Sequence, residues 1–165
     1  MSQRYLLPRN DPSKPDKPEA FRILLVDDDL DLLDTTSALL EDDAQVLTAT
    51  NGEQALRMVA EHQIHVVCAD FKMPGMTGVD LLRKVREVDS RLIGILITGF
   101  REQLPKGVAG DPAIFALLYK PYPLESLRTT VLDAGRVAAM SRAADKFQTR
   151  SQRLADEPGQ KRNAK

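Results

Sequence analysis

The sequence contains a single cysteine, Cys68, so no disulfide can form within the chain. That composition suits a reducing compartment. No apolar run approaches the ~20 residues that a membrane-spanning helix needs. The N-terminus lacks the apolar stretch of a secretory signal peptide as well. The expectation is a cytoplasmic protein. Internal repeats are missing. Neither histidine, His62 or His65, lies in a kinase-like motif, and both read as surface or strand-edge residues. No helix-turn-helix or other nucleic-acid reader is recognisable, so nucleic acid is not an expected partner. A strong charge of one sign is also missing, since the formal net charge is -1. That charge is unevenly placed. It is +1 over residues 1–20, -6 over 21–137 and +4 over 138–165. An acidic body carries a basic tail.

What is present is an ordinary globular composition. The chain has 165 residues, 42% apolar and 28% charged, enough for one domain with a hydrophobic core. Residues 1–20 hold Pro8, Pro12, Pro15 and Pro18 among polar residues and read as an extended or disordered arm. The continuous apolar run Ile23 to Val26 then suggests a strand buried on both faces. An amphipathic helix follows, with Leu30, Leu33, Leu39 and Leu40 on its apolar face. "QVLTAT" is a second strand. "NGEQALRMVAEH" is a second helix, with Ala55, Leu56, Val59 and Ala60 inward. "HVVCAD" is a third strand, and "TGVDLLRKVREVD" a third helix with Val79, Leu81, Leu82 and Val85 inward. "LIGILIT" and "IFALLY" are the fourth and fifth strands. A last helix begins at "PLESLRTT", with Pro123 near its N-terminus where proline is tolerated.

Alternating strands and helices imply a parallel sheet covered on both faces. One segment breaks the pattern. "GFREQLPKGVAGDP" holds Pro105, Gly107, Gly110 and Pro112. Proline inside a helix costs ~3 kcal/mol and glycine ~1 kcal/mol. The fourth helix should therefore be short or irregular. The last helix should run on past the sheet through a helical extension at 138–155, ahead of a disordered tail at 156–165. Val137, Met140, Ala144, Phe147, Ser151 and Leu154 form a heptad-like stripe there. Arg142, Lys146, Arg150 and Arg153 form a basic stripe on another side.

The polar residues at strand ends carry the chemistry. Asp27 and Asp28 end strand one, Asp70 ends strand three, Thr98 strand four and Lys120 strand five. Open parallel sheets bind ligands beyond the carboxyl ends of their strands. If strand one is central, with strand two outside it, then Asp27, Asp28 and Asp70 converge. Ordinary aspartates titrate near ~3.9, so three together repel at neutral pH. A hard divalent cation such as Mg²⁺ is the natural remedy for an all-oxygen donor set. Metal, ammonium and hydroxyl would together seat a phosphoryl group, with Asp70 placed as nucleophile. Asp29 and Asp31 read as first-turn helix acids.

On "ILLVDDD", "ADFKMPGMTG", "ILITG" and "LYKPY", in that order, the chain resembles the receiver domain of two-component response regulators over residues 21–137. The separations fit too: 43 residues from Asp27 to Asp70, 28 from there to Thr98 and 22 more to Lys120. The resemblance implies a flavodoxin-like α/β fold with five parallel strands in the order 2-1-3-4-5. It implies that Asp70 accepts a phosphoryl group from a histidine kinase, a phosphotransfer protein or a small phosphodonor. Asp27, Asp28, Asp70 and the backbone carbonyl of Lys72 would hold Mg²⁺. Lys120 would pair with the acyl phosphate, followed by a cis peptide bond at Pro121. Thr98 would report the phosphate's arrival, and Lys72 and Phe100 would tune its lifetime.

Two departures stand out. The family often has a switching aromatic three residues before the lysine, where this chain has Leu117. Tyr119 is expected to face away from Lys120. Switching should then fall to order and disorder of segment 99–112. The start at Met1 suggests a complete stand-alone switch, with a relay intermediate or a fragment of a hybrid kinase as alternatives. Its output would be docking on an unidentified downstream protein or dimerisation through the last helix. A Mg²⁺-dependent phosphohydrolase would commonly need an acid at position 72, which is lysine. A flavin site would need small residues with free N–H donors after strand one, where "DDD" repels a phosphate.

Overall fold

The computed structural model describes residues 21–156. The expected Pro-rich arm over 1–20 and the tail beyond residue 156 lie outside the described residues. Five strands alternate with helices: β1 (Arg22–Val26), α1 (Leu30–Leu40), β2 (Gln45–Ala49), α2 (Gly52–Glu61), β3 (Val66–Asp70), α3 (Gly78–Val88), β4 (Ile93–Thr98), β5 (Ala116–Tyr119) and α4 (Leu124–Asp156). All pairings are parallel, and the strand order is β2-β1-β3-β4-β5. The sequence expectation for the fold holds.

The strand period of two divides the core. Val67 and Ala69 of β3 face α2 and α3, where Met58, Val59, Leu81, Leu82 and Val85 pack. Val66 and Cys68 face α1 and α4, where Leu33, Leu40, Leu127 and Val131 pack. Every residue of β3 is buried, as a central parallel strand requires.

Side chains just ahead of the helices set where they start. Asp29 caps α1 by accepting from the N–H groups of Asp31 and Leu32. Asn51 caps α2 through Gln54 N–H, and Thr77 caps α3 through Asp80 N–H.

Three local expectations are corrected. Leu30 opens α1 on its solvent side, 63% exposed, because α1 turns Leu33, Thr36 and Leu40 inward instead. On α2, Ala60 is exposed and Met58 takes the inward place. Strand five starts at Ala116 and not at Ile114. The N–H of Ile114 is taken by Asp111 O in a turn, which keeps it out of the ladder.

Between β4 and β5 there is no α-helix. Two single 3-10 turns occur, Arg101–Gln103 and Val108–Gly110, with Gly107 left-handed at φ 82°. The prolines and glycines of this segment account for it. Val108, Ala113 and Ile114 nevertheless anchor it in the core.

Helix α4 runs 33 residues. Its first part packs on the sheet as far as Ala138, which is fully buried. Arg142 then reaches back. Its Nη2 donates to Ile64 O at 2.7 Å and to Asp89 Oδ2 at 3.2 Å. Arg128 makes a second tie, a two-pronged pair with Asp43 at 2.7 and 3.0 Å. Beyond Arg142 the residues through Arg150 are exposed, Phe147 among them at 75%.

Candidate functional site

Strands β1 and β3 are neighbours in register from Ile23↔Val66 to Val26↔Ala69, so their next residues, Asp27 and Asp70, emerge side by side. Both carboxylates are buried. Lys120, just past β5, reaches across to them. Its Nζ lies 2.7 Å from Asp70 Oδ1 and 3.5 Å from Asp27 Oδ2. The second oxygen of each acid takes a backbone donor. Asp29 N–H bonds Asp27 Oδ1 at 2.9 Å, and Lys72 N–H bonds Asp70 Oδ2 at 2.9 Å.

The electrostatics follow from burial. Desolvation raises the Asp27 carboxyl above its usual value, against the lowering pull of the Asp29 N–H and Lys120, with the Asp70 charge adding to the rise. Desolvation also pulls on the Lys120 ammonium, but the bond and charge of Asp70, with Asp27, outweigh it. The net direction for Lys120 is upward. The ammonium therefore stays charged between two acids.

The turn after Asp70 explains the Pro/Gly-rich stretch "FKMPGMTG". Gly78 N–H donates to Phe71 O at 2.9 Å and closes the turn onto the strand end. A Cβ on Gly78 would lie 2.3 Å from the Asp70 carbonyl oxygen, so only glycine lets α3 start there. Gly75 supplies the positive φ of 83° within the turn. Asp70 is thus held by backbone on both sides.

Thr98 ends β4, 1% exposed, and its hydroxyl accepts from Phe100 N–H at 2.9 Å. Lys72 and Phe100 meet at the mouth of the crevice, with the ammonium 4.5 Å from the ring centroid. The Lys120–Pro121 peptide bond is cis. Asp28 is exposed.

Leu117 packs against the core between the sheet and α3. Tyr119 lies two residues further along the same strand, hence on Leu117's face, and it is the register partner of Thr98. The guanidinium of Arg101 lies 3.9 Å from its ring centroid. Sequence reasoning set Tyr119 aside because it faces away from Lys120. The β4–β5 register, which no sequence pattern marks, places it beside Thr98.

Among the described residues, no group of three or more histidine, cysteine or acidic side chains stands ready to hold a metal. The donor chemistry nevertheless fits a hard cation. Two buried carboxylates share one point, Asp28 is on the adjacent residue, and all donors are oxygen. Mg²⁺ keeps several waters and needs few protein ligands.

The five-stranded 2-1-3-4-5 sheet with two acids and a lysine at its carboxyl edge is an α/β fold with a charged crevice suited to a phosphoryl group. The model of the response regulator receiver domain matches residues 23–132, and the chain belongs to that family. Receiver domains are signalling switches, and phosphoryl acceptance, Mg²⁺ at the acceptor site and exchange with histidine kinases or phosphotransfer proteins are general to them. The hydrogenase transcriptional regulatory protein HoxA of Cupriavidus necator is 31% identical over 114 residues, 68% of this chain and 23% of that protein. The probable chemotaxis protein CheY of Rhizobium etli is 29% identical over 122 residues, 68% of this chain and 91% of that one. The crystal structure of a response regulator receiver domain protein from Clostridium thermocellum superposes with a TM-score of 0.67 at 30% identity, covering 73% of this chain and 98% of that one. The chain spans about a quarter of the length of the first curated relatives it matches.

Proposed function

We propose that this chain is a phosphoacceptor switch whose nucleophile is Asp70. The observation that carries this reading is the buried pair of Asp70 and Asp27 on one lysine, at the carboxyl edge of adjacent central strands. A carboxylate oxygen of Asp70 forms a bond to phosphorus. The P–N bond of a phosphohistidine, on a sensor kinase or phosphotransfer protein, or the P–O bond of a small phosphodonor breaks. The leaving group keeps the electron pair. Mg²⁺ held by Asp27, Asp28, Asp70 and the Lys72 carbonyl would neutralise the gathered charge. Lys120 then pairs with the acyl phosphate, and water later hydrolyses it. The chain catalyses only its own phosphorylation and dephosphorylation, and it works in the cytoplasm.

This reading makes one substitution decisive. Asp70→Asn removes the nucleophile while keeping its shape and the N–H donor from Lys72. No acyl phosphate should form from acetyl phosphate and Mg²⁺, and the circular dichroism spectrum should be retained. Robust labelling of the variant at another residue contradicts the assignment.

In this reading Thr98 is the switch residue. Its hydroxyl holds Phe100 N–H, and Arg101, next along, holds Tyr119. Rotation of Thr98 toward a phosphoryl oxygen releases Phe100 and loosens segment 99–116, with Leu117 as a fixed wall behind it. Lys72 and Phe100, in contact at the mouth, govern the approach of the hydrolytic water. Amide exchange across 99–116 should accelerate on addition of beryllofluoride, a phosphoryl mimic. Unchanged protection there, with beryllofluoride bound, removes this switch. The output is docking on another protein chain or self-association through α4.

A further inference from the structure

The opposite edge of the sheet carries a second charged site, independent of the reading above. The strand N-termini and the continuation of α4 enclose a groove of about 840 Å³. That volume falls in the range of small-molecule sites, roughly 300–1,000 Å³. Five cations line it: Arg22, Arg91, Arg142, Lys146 and Arg150.

Only two acids answer them. Asp89 bonds Arg91 at 2.8 Å and Arg142 at 3.2 Å, and Asp145 meets Arg91 at 3.5 Å. Among the described residues no carboxylate pairs with Lys146 or Arg150. The excess is local, because residues 21–137 carry a net charge of -6. Arg142 is anchored under the groove, its Nη2 used by Ile64 O and Asp89 Oδ2. Phe21, Ala139 and Ala143 supply an apolar wall.

Like charges gathered in one groove repel, and a multivalent anion relieves that repulsion. Guanidinium forks match phosphate oxygens in pairs. We propose that this groove binds a small molecule bearing at least two phosphate groups and an apolar or ring-shaped body. Occupancy ties the extension of α4 to the N-terminal edge of β1 and β3.

The test uses the full chain with EDTA, so that no Mg²⁺ draws phosphate to the Asp70 crevice, where Lys120 is already paired with two acids. Inorganic pyrophosphate and ATP are titrated separately by calorimetry. One-to-one binding is expected, weakening as salt is raised. Tighter binding of ATP than of pyrophosphate is expected from the apolar wall, and equal binding overturns the ring-shaped body of the ligand. The double variant Lys146→Glu with Arg150→Glu should bind at least tenfold more weakly. Both side chains are exposed, and phosphorylation of Asp70 by acetyl phosphate should be unaltered. As a check that needs no variant, amide exchange over residues 143–150 should slow in the ligand-bound wild type. No saturable binding of either probe overturns the proposal, as does binding that survives the charge reversal or leaves exchange at 143–150 unchanged.

Discussion

Lys120 is shared by two acids, and its removal sets them against each other. Side-chain truncation in a buried ion pair costs about 3–5 kcal/mol. The Lys120 side chain is one-third exposed, 33%, so water and counter-ions screen part of that cost. We expect Lys120→Ala to lose about 1–2 kcal/mol in urea unfolding without Mg²⁺, and less with it. Calorimetry should show Mg²⁺ still binding, while beryllofluoride no longer changes amide exchange at 99–116. A normal response in this variant would remove Lys120 from the switch. At this scale the sequence was largely legible. The acids, the lysine and Thr98 each sit where an apolar run stops, and run ends can be read directly. What could not be read is who touches whom. The Lys72–Phe100 and Arg101–Tyr119 contacts depend on a turn path and a strand register that composition does not encode.

Elements came through where period and punctuation agreed. Helices α2 and α3 lie within the segments that their sequence period marked, and the first residues of those segments, Asn51 and Thr77, are their caps. The start of β5 did not come through. Ile114 looks like strand, but the Asp111 turn claims its N–H, and an apolar residue before a strand carries no mark of that. The ties of α4 are equally hidden, since they join residues 53 and 78 positions apart. Asp89 lies at the centre of those ties. The Arg91 side-chain hydrogen bond, helped by the Arg91 N–H and the Arg142 charge, holds its carboxyl below the usual range. An acid held low contributes stability above its unfolded value, near 3.8, and loses it as pH falls through the folded value. Asp89→Asn should therefore cost about 1 kcal/mol at neutral pH, between the exposed and charge-assisted cases. The gap in thermal midpoint between wild type and variant should close as pH drops below 4. A gap that stays constant into acid would place the effect elsewhere than in the charge.

The whole molecule presents two unlike ends. The carboxyl edge of the sheet gathers acids around Lys120, and the amino edge gathers arginines beneath α4. Between them the last helix leaves Val137, Met140 and Phe147 exposed at heptad-like spacing. Light scattering of the full chain with Mg²⁺, with and without beryllofluoride, decides between two outputs. A mass that doubles on activation makes α4 a self-docking surface. A constant monomer, with beryllofluoride bound, makes the chain a donor of its signal to a different protein. The described residues include no helix long and apolar enough to cross a membrane.

Cys68 gives the molecule an internal clock. The only sulfhydryl in the chain sits in mid-β3, two residues from Asp70, 2% exposed. Burial, with the Asp27 charge adding to it, pushes that thiol up to about 12. At neutral pH it is a protonated sulfur behind a closed sheet, inert to alkylating reagents. It reacts only when the central strand is uncovered, so the alkylation rate counts those openings. Each state of the chain then has a characteristic time, read chemically, without substitution, from the strand that ends at Asp70.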